Sequence, residues 1–338
     1  MIKKKHMLIF ILTVAVAVTL LLGGNAIAKR NMEFVAIATG GTGGVYYPLG
    51  GALAQIISNK VEGVSASAQS GNASVANSNL IAKGAVETGF VQNNVCDQAY
   101  NGTGPWKGRA LKNLRVISSL YPETIQIIAR KESNIKTIPD CKNKKIAVGD
   151  RGSGTEIDTR NILKYHGMNY DDIQEIFVDY SVAAQRIKDD QADMLFKTAG
   201  YPTSAIIDMT MTKDINFVSL TDEAIAAIVK ENPFYVATTI PANTYKGQDY
   251  PVKTISMMAL WVTNAETSEE LVYNMTKALY EKTALLYRKK KEKESGADIL
   301  AKVHNQGKQI TLETALDGVT TPLHPGAEKF YREVGLIK

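Results

Sequence analysis

The sequence is poor in the residues that most metal centres and catalytic sites require. Its 338 residues include 4 histidines and 2 cysteines. Beyond the first segment of the chain, the histidines are His166, His304 and His324, and their spacing suits neither a shared metal ion nor the base of a nucleophile. We therefore predict no catalytic residue, no metal site and no cofactor. An enzyme becomes the least favoured class of function.

Two nucleotide-binding signatures are also absent. The glycine-rich stretch from Gly40 to Gly51 contains no lysine, whereas a phosphate-binding loop ends in glycine, lysine and serine or threonine. Tyr46 stands where the dinucleotide fingerprint requires its third glycine after Gly41 and Gly43. The stretch is therefore not predicted to bind a nucleotide.

The net charge of the chain is small when its first 28 residues are left out. Lys3, Lys4 and Lys5 precede an apolar run from Met7 to Leu22, and Ala26-Ile27-Ala28 supplies small residues for cleavage. The run has about 16 residues and a membrane anchor needs about 20, so a signal peptide cleaved after Ala28 is favoured over an anchor. Three of the five net positive charges belong to this segment. The remainder predicts a periplasmic protein without affinity for nucleic acid.

Cysteine chemistry is limited to Cys96 and Cys141. An even pair in an exported protein is compatible with a disulfide. We place the two residues on different lobes, where a bond would restrain movement. The alternative is that each is buried as a small apolar side chain. The sequence leaves both open.

What the sequence does contain is an alternation of strands and helices, which predicts an α/β fold with a mostly parallel sheet. The pattern runs to about Tyr121, begins again at Ile125, and ends in helices without strands of their own. We predict two lobes joined by a two-strand hinge, with a ligand cleft between them. The predicted divisions are a signal peptide at 1–28, a discontinuous lobe I at 29–122 and 256–338, and lobe II at 123–255.

The first candidate binding segment is a glycine-rich turn between the predicted strand Glu33–Ile37 and a helix. Such a turn exposes backbone N–H groups at a helix start, which favours an anion. Side-chain hydroxyl groups and aromatic rings lie in the same turn as these N–H groups. The candidate ligand-binding residues of this turn are Thr42, Gly43, Gly44, Tyr46 and Tyr47.

Further polar turns follow other strands, where open α/β sheets place ligands. Ordinary turn and cap chemistry is the alternative for each of them. Arg151 could pair with a ligand carboxylate or face solvent. These candidate residues are Ser70, Gly71, Asn72, Ser74, Gln92, Asn93, Arg151, Ser153, Gly154, Thr155, Gly200 and Tyr201.

Several motifs resemble the TAXI family of extracytoplasmic solute receptors, which serve tripartite ATP-independent periplasmic (TRAP) transporters. They lie along most of the chain beyond residue 28. The motifs are Thr39-Gly40-Gly41-Thr42-Gly43-Gly44-Val45-Tyr46-Tyr47-Pro48, Leu120-Tyr121-Pro122-Glu123, Gly152-Ser153-Gly154-Thr155-Glu156, Pro322-Leu323-His324-Pro325-Gly326-Ala327 and Phe330-Tyr331-Arg332-Glu333.

This resemblance implies a type II periplasmic-binding-protein fold that closes around one ligand. It also implies delivery to small and large membrane subunits, often fused. Glutamate, glutamine and related dicarboxylates such as 2-oxoglutarate are the ligands known for the family. Its binding turns match Thr42, Gly43, Gly44, Tyr46, Ser70, Gly71, Asn72, Ser153, Gly154 and Thr155. Arg151 departs from the pattern, which more often has a small or neutral residue there, and this favours a second ligand carboxylate.

From the residues and the resemblance together, we expect a monomeric receptor for a small, glutamate-like carboxylate. A periplasmic sensor that presents its closed form to a sensor kinase is the alternative, because either partner would contact the same lobes. An enzyme is third, for want of a catalytic constellation.

Overall fold

The computed structural model describes residues 32–282 and 294–338. The predicted signal peptide at 1–28 lies outside the described residues. From Phe34 to Lys338 the chain forms one compact unit. Within it, alternating strands and helices confirm the predicted α/β class.

Ten strands are present in the described residues, and all of them belong to one sheet. They are β1 (Glu33–Ala38), β2 (Val64–Gln69), β3 (Thr88–Gln92), β4 (Leu114–Arg130), β5 (Lys145–Ala147), β6 (Gln174–Ile176), β7 (Met194–Ala199), β8 (Ile215–Phe217), β9 (Val236–Ile240) and β10 (Val252–Asn264).

The helices alternate with these strands and then continue beyond the last one. They are α1 (Tyr46–Lys60), α2 (Ser74–Ala82), α3 (Asn93–Asn101), α4 (Gly154–Tyr165), α5 (Tyr180–Lys188), α6 (Ser204–Thr212), α7 (Asp222–Glu231), α8 (Glu269–Tyr280), α9 (Gly296–Val303) and α10 (Pro325–Glu333). Short 3₁₀ turns lie at Gly104–Trp106, Lys131–Ser133, Ile138–Cys141, Tyr170–Asp172 and Asn305–Gln309.

The sheet follows the order β2-β1-β3-β10-β4-β7-β5-β6, with β8 paired to β4 and β9 paired to β10. Strand β1 pairs parallel with β3, and β5 pairs parallel with both β6 and β7. The pairs that involve β4 or β10 are antiparallel. The sheet is therefore mixed, because its two central strands run against their neighbours.

Strands β4 and β10 join the two lobes. The sequence predicts separate strands at Leu114–Leu120 and Ile125–Ala129, but β4 is one strand of 17 residues. It pairs with β10 from Leu114 to Thr124, and with β7 from Thr124 to Ala129. Pairing with β10 through Tyr121–Thr124 supplies partners for backbone groups that the sequence pattern leaves in a loop. The two crossing strands predicted for the hinge are confirmed.

Apolar side chains form separate clusters on either side of these crossing strands. One core joins β1 and α1 with α8 and α10, through residues such as Ile37, Leu49, Met275 and Phe330. A second core joins β5, α4 and α7, through Ile146, Ile162 and Ile228 among others. We call the half with β1–β3 lobe I and the half with β5–β9 lobe II. The predicted residue boundaries between them stay a prediction.

Both cysteines are free and buried. Cys96 packs with Trp106 in lobe I, and Cys141 packs with Ile138 in lobe II. Each is a small apolar side chain within its own core, which is the second of the two alternatives. In the ranges 32–282 and 294–338, no helix is both long enough and apolar enough to cross a membrane.

Candidate functional site

A cavity lies where the turns after the strands of both lobes meet. Lobe I contributes the first glycine-rich turn and the Gly71–Ser74 turn, and lobe II contributes the turn from Gly149 to Thr155. The cavity volume is about 70 Å³. One water molecule needs roughly 10–15 Å³ by that measure, so the space holds only a few waters or a small molecule.

Four helices begin at this cavity. Lining residues include Val45 and Tyr46 at the start of α1, Ser74 of α2, Ser153 of α4, and Tyr180 of α5. The first N–H groups of a helix have no partner inside that helix, and the helix dipole is positive at this end. A convergence of helix starts is therefore suited to an anionic ligand.

Three of the four helix starts already have acceptors within the protein. The Gly152 carbonyl accepts from the backbone N–H groups of Val75 and Ala76, both at 3.2 Å. The Asp179 carboxylate accepts from the N–H of Ser181 at 2.8 Å and, more weakly, from that of Val182 at 3.3 Å. At α4 the Ser153 hydroxyl accepts from one N–H, that of Glu156, at 3.2 Å. The start of α1 has no side-chain cap, so α1, followed by α4, is the better candidate for ligand contact.

Lys197 adds a full positive charge to these partial charges. Its side chain leaves the end of β7 toward lobe I, and Nζ lies 3.7 Å from the point where a Cβ on Gly44 would stand. The ammonium also lies 4.7 Å from the centre of the Tyr180 ring. Burial lowers the pKa of Lys197, while the nearby Glu123 and Asp179 raise it. An oxyanion beside this group would restore the solvation that the ammonium loses on burial.

Glu123 is a buried acid in the lining of the same cavity. Its carboxyl accepts a hydrogen bond from the Tyr46 hydroxyl at 2.6 Å, and the residue is only 3% exposed. Burial raises the pKa of Glu123 to about 8, although the Tyr46 hydrogen bond and Lys197 act to lower it. Burial thus favours the uncharged form of this carboxyl.

Two further carboxylates, Asp150 and Asp179, line the cavity. Asp179 Oδ1 caps α5, which leaves its other oxygen for a different partner. Both side chains are partly exposed. The site thus offers one ammonium for an oxyanion and carboxylates for a cationic group, a combination that matches a zwitterion.

The lobes are in direct contact around the cavity. Gly154 faces the Gln92 side chain so closely that any Cβ would overlap its amide. Gln92 is held in place by the Ser74 hydroxyl, which lies 3.1 Å from its backbone N–H and 3.4 Å from Oε1. The Asn72 side chain donates to the Arg151 carbonyl at 3.3 Å. These contacts describe a closed arrangement of the two lobes.

The structure brings many of the predicted binding residues to this one cavity. Those that line it are Gly44, Tyr46, Gly71, Asn72, Ser74, Gln92, Ser153, Gly154 and Thr155. Thr42 and Gly43 line a neighbouring groove with Ser181 and Lys188 instead. The assignment of a ligand to any of them stays a prediction.

The other candidates are outside the lining of the cavity. Tyr47 and Ser70 are exposed, while Asn93 is buried and donates to the Gly318 carbonyl at 3.1 Å. The Tyr201 carbonyl accepts from the Gln306 side chain at 2.6 Å, and Gly200 packs against the same glutamine. Gly200 and Tyr201 thus contact Gln306, which follows α9, rather than the cavity.

Arg151 lies outside the cavity as well. Its guanidinium stacks on the Phe177 ring at 3.7 Å, and the residue is exposed. The stacked position favours the solvent-facing alternative in this arrangement. The neighbouring Asp150, which was not among the predicted residues, is the one that lines the cavity.

Several lining residues were missed by the sequence analysis. Lys197 and Thr198 stand directly before the predicted Gly200 and Tyr201, at the end of the same strand. Glu123 lies within one of the family-like motifs, and Asp179 precedes the predicted helix from Ser181. The signal was present as polar residues at strand ends. The choice among neighbours depends on side-chain direction, which the sequence pattern does not specify.

Comparison with solved structures supports the fold alone. A protein from Bordetella bronchiseptica RB50 is similar with a TM-score of 0.50 and 17% identity, over 88% of this chain and 88% of that chain. The periplasmic aliphatic sulphonate binding protein SsuA from Escherichia coli gives 0.44 and 13%, over 72% and 69%. A binding protein component of an ABC phosphonate transporter from Pseudomonas aeruginosa gives 0.47 and 11%, over 80% and 78%. The two-lobed mixed α/β architecture is the predicted type II periplasmic-binding-protein fold.

A comparison with protein families gives a match that spans most of the chain. The NMT1-like family matches residues 37–335, which includes both lobes, the crossing strands and every residue that lines the cavity. Membership in the TAXI family stays a prediction. On the extent of the match, the chain belongs to the NMT1-like family.

Proposed function

We propose that this protein is an extracytoplasmic solute-binding receptor that closes two lobes around a small carboxylate. The observation that carries the proposal is the cavity in which helix starts from both lobes converge beside the Lys197 ammonium. Such a site binds an anion without metal or cofactor. The membership in the NMT1-like family and the two-lobed fold support a binding role rather than catalysis.

The ligand that best fits the groups in the lining is a glutamate-like amino acid. One carboxylate would lie against Lys197 and the starts of α1 and α4. The α-ammonium would face Asp150 or the free oxygen of Asp179. The limited volume favours a molecule of about this size over a nucleotide or an oligosaccharide.

Delivery to TRAP-type membrane subunits, separate or fused, completes the proposal. It rests on the resemblance of the glycine-rich and C-terminal motifs to TAXI receptors. Genes for membrane subunits beside the gene of this protein would support transport. An adjacent sensor kinase gene would instead favour a sensing role.

The first experiment is mass spectrometry of the small molecule that co-purifies with the protein, followed by a thermal-shift screen. The screen compares L-glutamate, L-glutamine and 2-oxoglutarate with an alkanesulfonate, a phosphonate and phosphate, because an ammonium group can donate hydrogen bonds to any of these oxyanions. We expect stabilisation by the carboxylates. Stabilisation by the alkanesulfonate, the phosphonate or phosphate alone would overturn the carboxylate assignment.

The screen also tests the role of the acids. L-Glutamate and 2-oxoglutarate both carry two carboxylates, but only glutamate carries an ammonium. We expect glutamate to bind more tightly, and Asp150→Asn to reduce that preference. Equal affinity for the two ligands would leave the acids without a role in recognition.

A further inference from the structure

One buried carboxylate connects the two lobes without lining the cavity. Asp158 lies on α4, one turn after the residues that line the cavity, and it is 1% exposed. Both oxygens accept hydrogen bonds. Oδ1 receives the Asn94 amide at 3.2 Å and the Tyr235 hydroxyl at 2.7 Å, and Oδ2 receives the Gln92 amide at 2.9 Å and the Thr198 hydroxyl at 2.6 Å.

The four donors come from different parts of the fold. Gln92 ends β3 and Asn94 opens α3, so both belong to lobe I. Thr198 on β7 and Tyr235 before β9 belong to lobe II, as Asp158 itself does. The carboxylate is therefore fully bonded only while the lobes are together. Separation of the lobes would remove one donor from each oxygen.

The donors are uncharged, and the Asp158 carboxylate has no ion pair within 4.0 Å among the described residues. Burial raises the pKa of Asp158, while the hydrogen bonds from Thr198, Tyr235, Gln92 and Asn94 act to lower it. A buried carboxylate is costly unless donors replace its water. In an open arrangement, water would replace the two lobe I donors, so the group itself does not prevent opening.

From this geometry we propose that Asp158 is a positioning residue that latches lobe II to lobe I. The latch favours the closed arrangement and so sets ligand affinity without contact with the ligand. The link between the latch and affinity rests on the proposed binding function, whereas the effect on lobe closure does not. Gln92 also lines the cavity, so Asn94 is the better lobe I partner for a test.

The experiment compares four ligand-free proteins by small-angle X-ray scattering. They are the wild type, Asp158→Asn, Asn94→Ala and Asp140→Asn. Asparagine at 158 keeps the shape but turns its NH₂ group toward one hydroxyl and one amide NH₂; the hydroxyl can accept a hydrogen bond, whereas the amide NH₂ cannot. Asp140 is the matched control, because its carboxylate accepts only from Lys136 and Thr137 of its own turn in lobe II.

We expect a larger radius of gyration for Asp158→Asn and Asn94→Ala, and the wild-type value for Asp140→Asn. The same radius in all four proteins would overturn the latch. If Asp158→Asn fails to fold, Asn94→Ala decides alone, since it leaves the Asp158 carboxylate in place.

Affinity for L-glutamate, measured by calorimetry, gives the second readout. We expect Asp158→Asn to bind L-glutamate at least tenfold more weakly than wild type. Adding Asn94→Ala should cause no further loss of affinity, because both substitutions break the same contact between the lobes. Additive losses would overturn the latch. If wild type does not bind L-glutamate at all, the proposed ligand is wrong, and the scattering comparison still decides the latch.

Discussion

The Lys197 side chain lies where water solvates an ammonium group only in part. It is partly buried, close to the Gly44 backbone and over the face of Tyr180. An anionic ligand would supply the partner that this environment lacks. Lys197 should therefore make the protein bind an anionic ligand more tightly than an uncharged one.

Replacement of Lys197 by methionine should weaken binding of L-glutamate about 10- to 100-fold. A hydrogen bond to a charged group contributes roughly 1.5–3 kcal/mol, and methionine keeps most of the apolar stem. Titration calorimetry measures the change. Lys253→Met is the control, since Lys253 forms an exposed pair with Asp222 at 2.7 Å and should leave affinity unchanged. Wild-type affinity in Lys197→Met would exclude the ammonium from the site.

Glu123 should make stability depend on pH. Its pKa is raised to about 8 in the folded protein, whereas an unfolded glutamate titrates near 4.3. The folded state therefore holds a proton that the unfolded state releases. The contribution is fully present below the unfolded pKa and is lost as the pH rises through the folded pKa.

The test is the free energy of unfolding of wild type and Glu123→Gln between about pH 4 and pH 8.5, a window that covers both pKa values. We expect the wild type to lose stability relative to Glu123→Gln across this range. Glu175→Gln, at an exposed position on β6, is the control and should run parallel to wild type. A constant difference between wild type and Glu123→Gln would mean that the buried acid does not change its protonation on unfolding.

Among elements, the start of α4 is where lobe II meets lobe I most tightly. The Gly152 carbonyl accepts from the start of α2, and Gly154 packs on Gln92. Gly154 is in a helical conformation that any residue can adopt. Its small size is thus required by the contact between the lobes rather than by the backbone.

Gly154→Ala should lower ligand affinity tenfold or more. The new methyl group overlaps Gln92, whose amide is bonded to Asp158 and cannot move without the loss of that bond. Within lobe II the methyl group is tolerated, so the melting temperature of the ligand-free protein should change little.

Gly51→Ala is the matched control for that change. Gly51 lies inside α1 with no atom within 4 Å of a new Cβ. Alanine there should raise stability by up to about 1 kcal/mol, because glycine disfavours helix, and should leave affinity unchanged. Equal affinities for Gly154→Ala and wild type would show that closure does not need the contact with Gln92.

Local patterns in the sequence predict where strands and helices occur better than they predict where each one begins and ends. Strands β2 and β3 match the bounds that the sequence predicts, Val64–Gln69 and Thr88–Gln92, because residues next to them in the sequence end both strands. Strand β4 does not, since its continuation through Tyr121–Thr124 depends on pairing with β10 and β7, far away in the sequence. The glycine-rich turns were predictable for the same local reason. Glu123 and Lys197 were not, because their role depends on how the lobes meet.

At the scale of the whole molecule, the melting temperature should not depend on whether the solution is oxidising or reducing. Cys96 and Cys141 are buried in separate cores, and burial raises the pKa of each thiol to about 12. A thiol reagent should not react with the native protein and should find two thiols after denaturation. A reducing agent should leave the melting temperature unchanged. If no thiols are detected in the denatured protein, Cys96 and Cys141 form a disulfide, which their positions in separate cores do not permit.

The position of β10 in the sheet has a consequence for how the chain acquires its structure. Strands β3 and β4 are consecutive in sequence, yet β10 lies between them and is synthesised more than a hundred residues after β4 begins. The sheet of lobe I therefore lacks its centre until nearly the whole of lobe II exists. Such long-range pairing slows folding, because loop closure precedes the favourable contacts. Until β10 has been synthesised, strands β1 to β3 form an incomplete sheet with an open edge that only β10 fills.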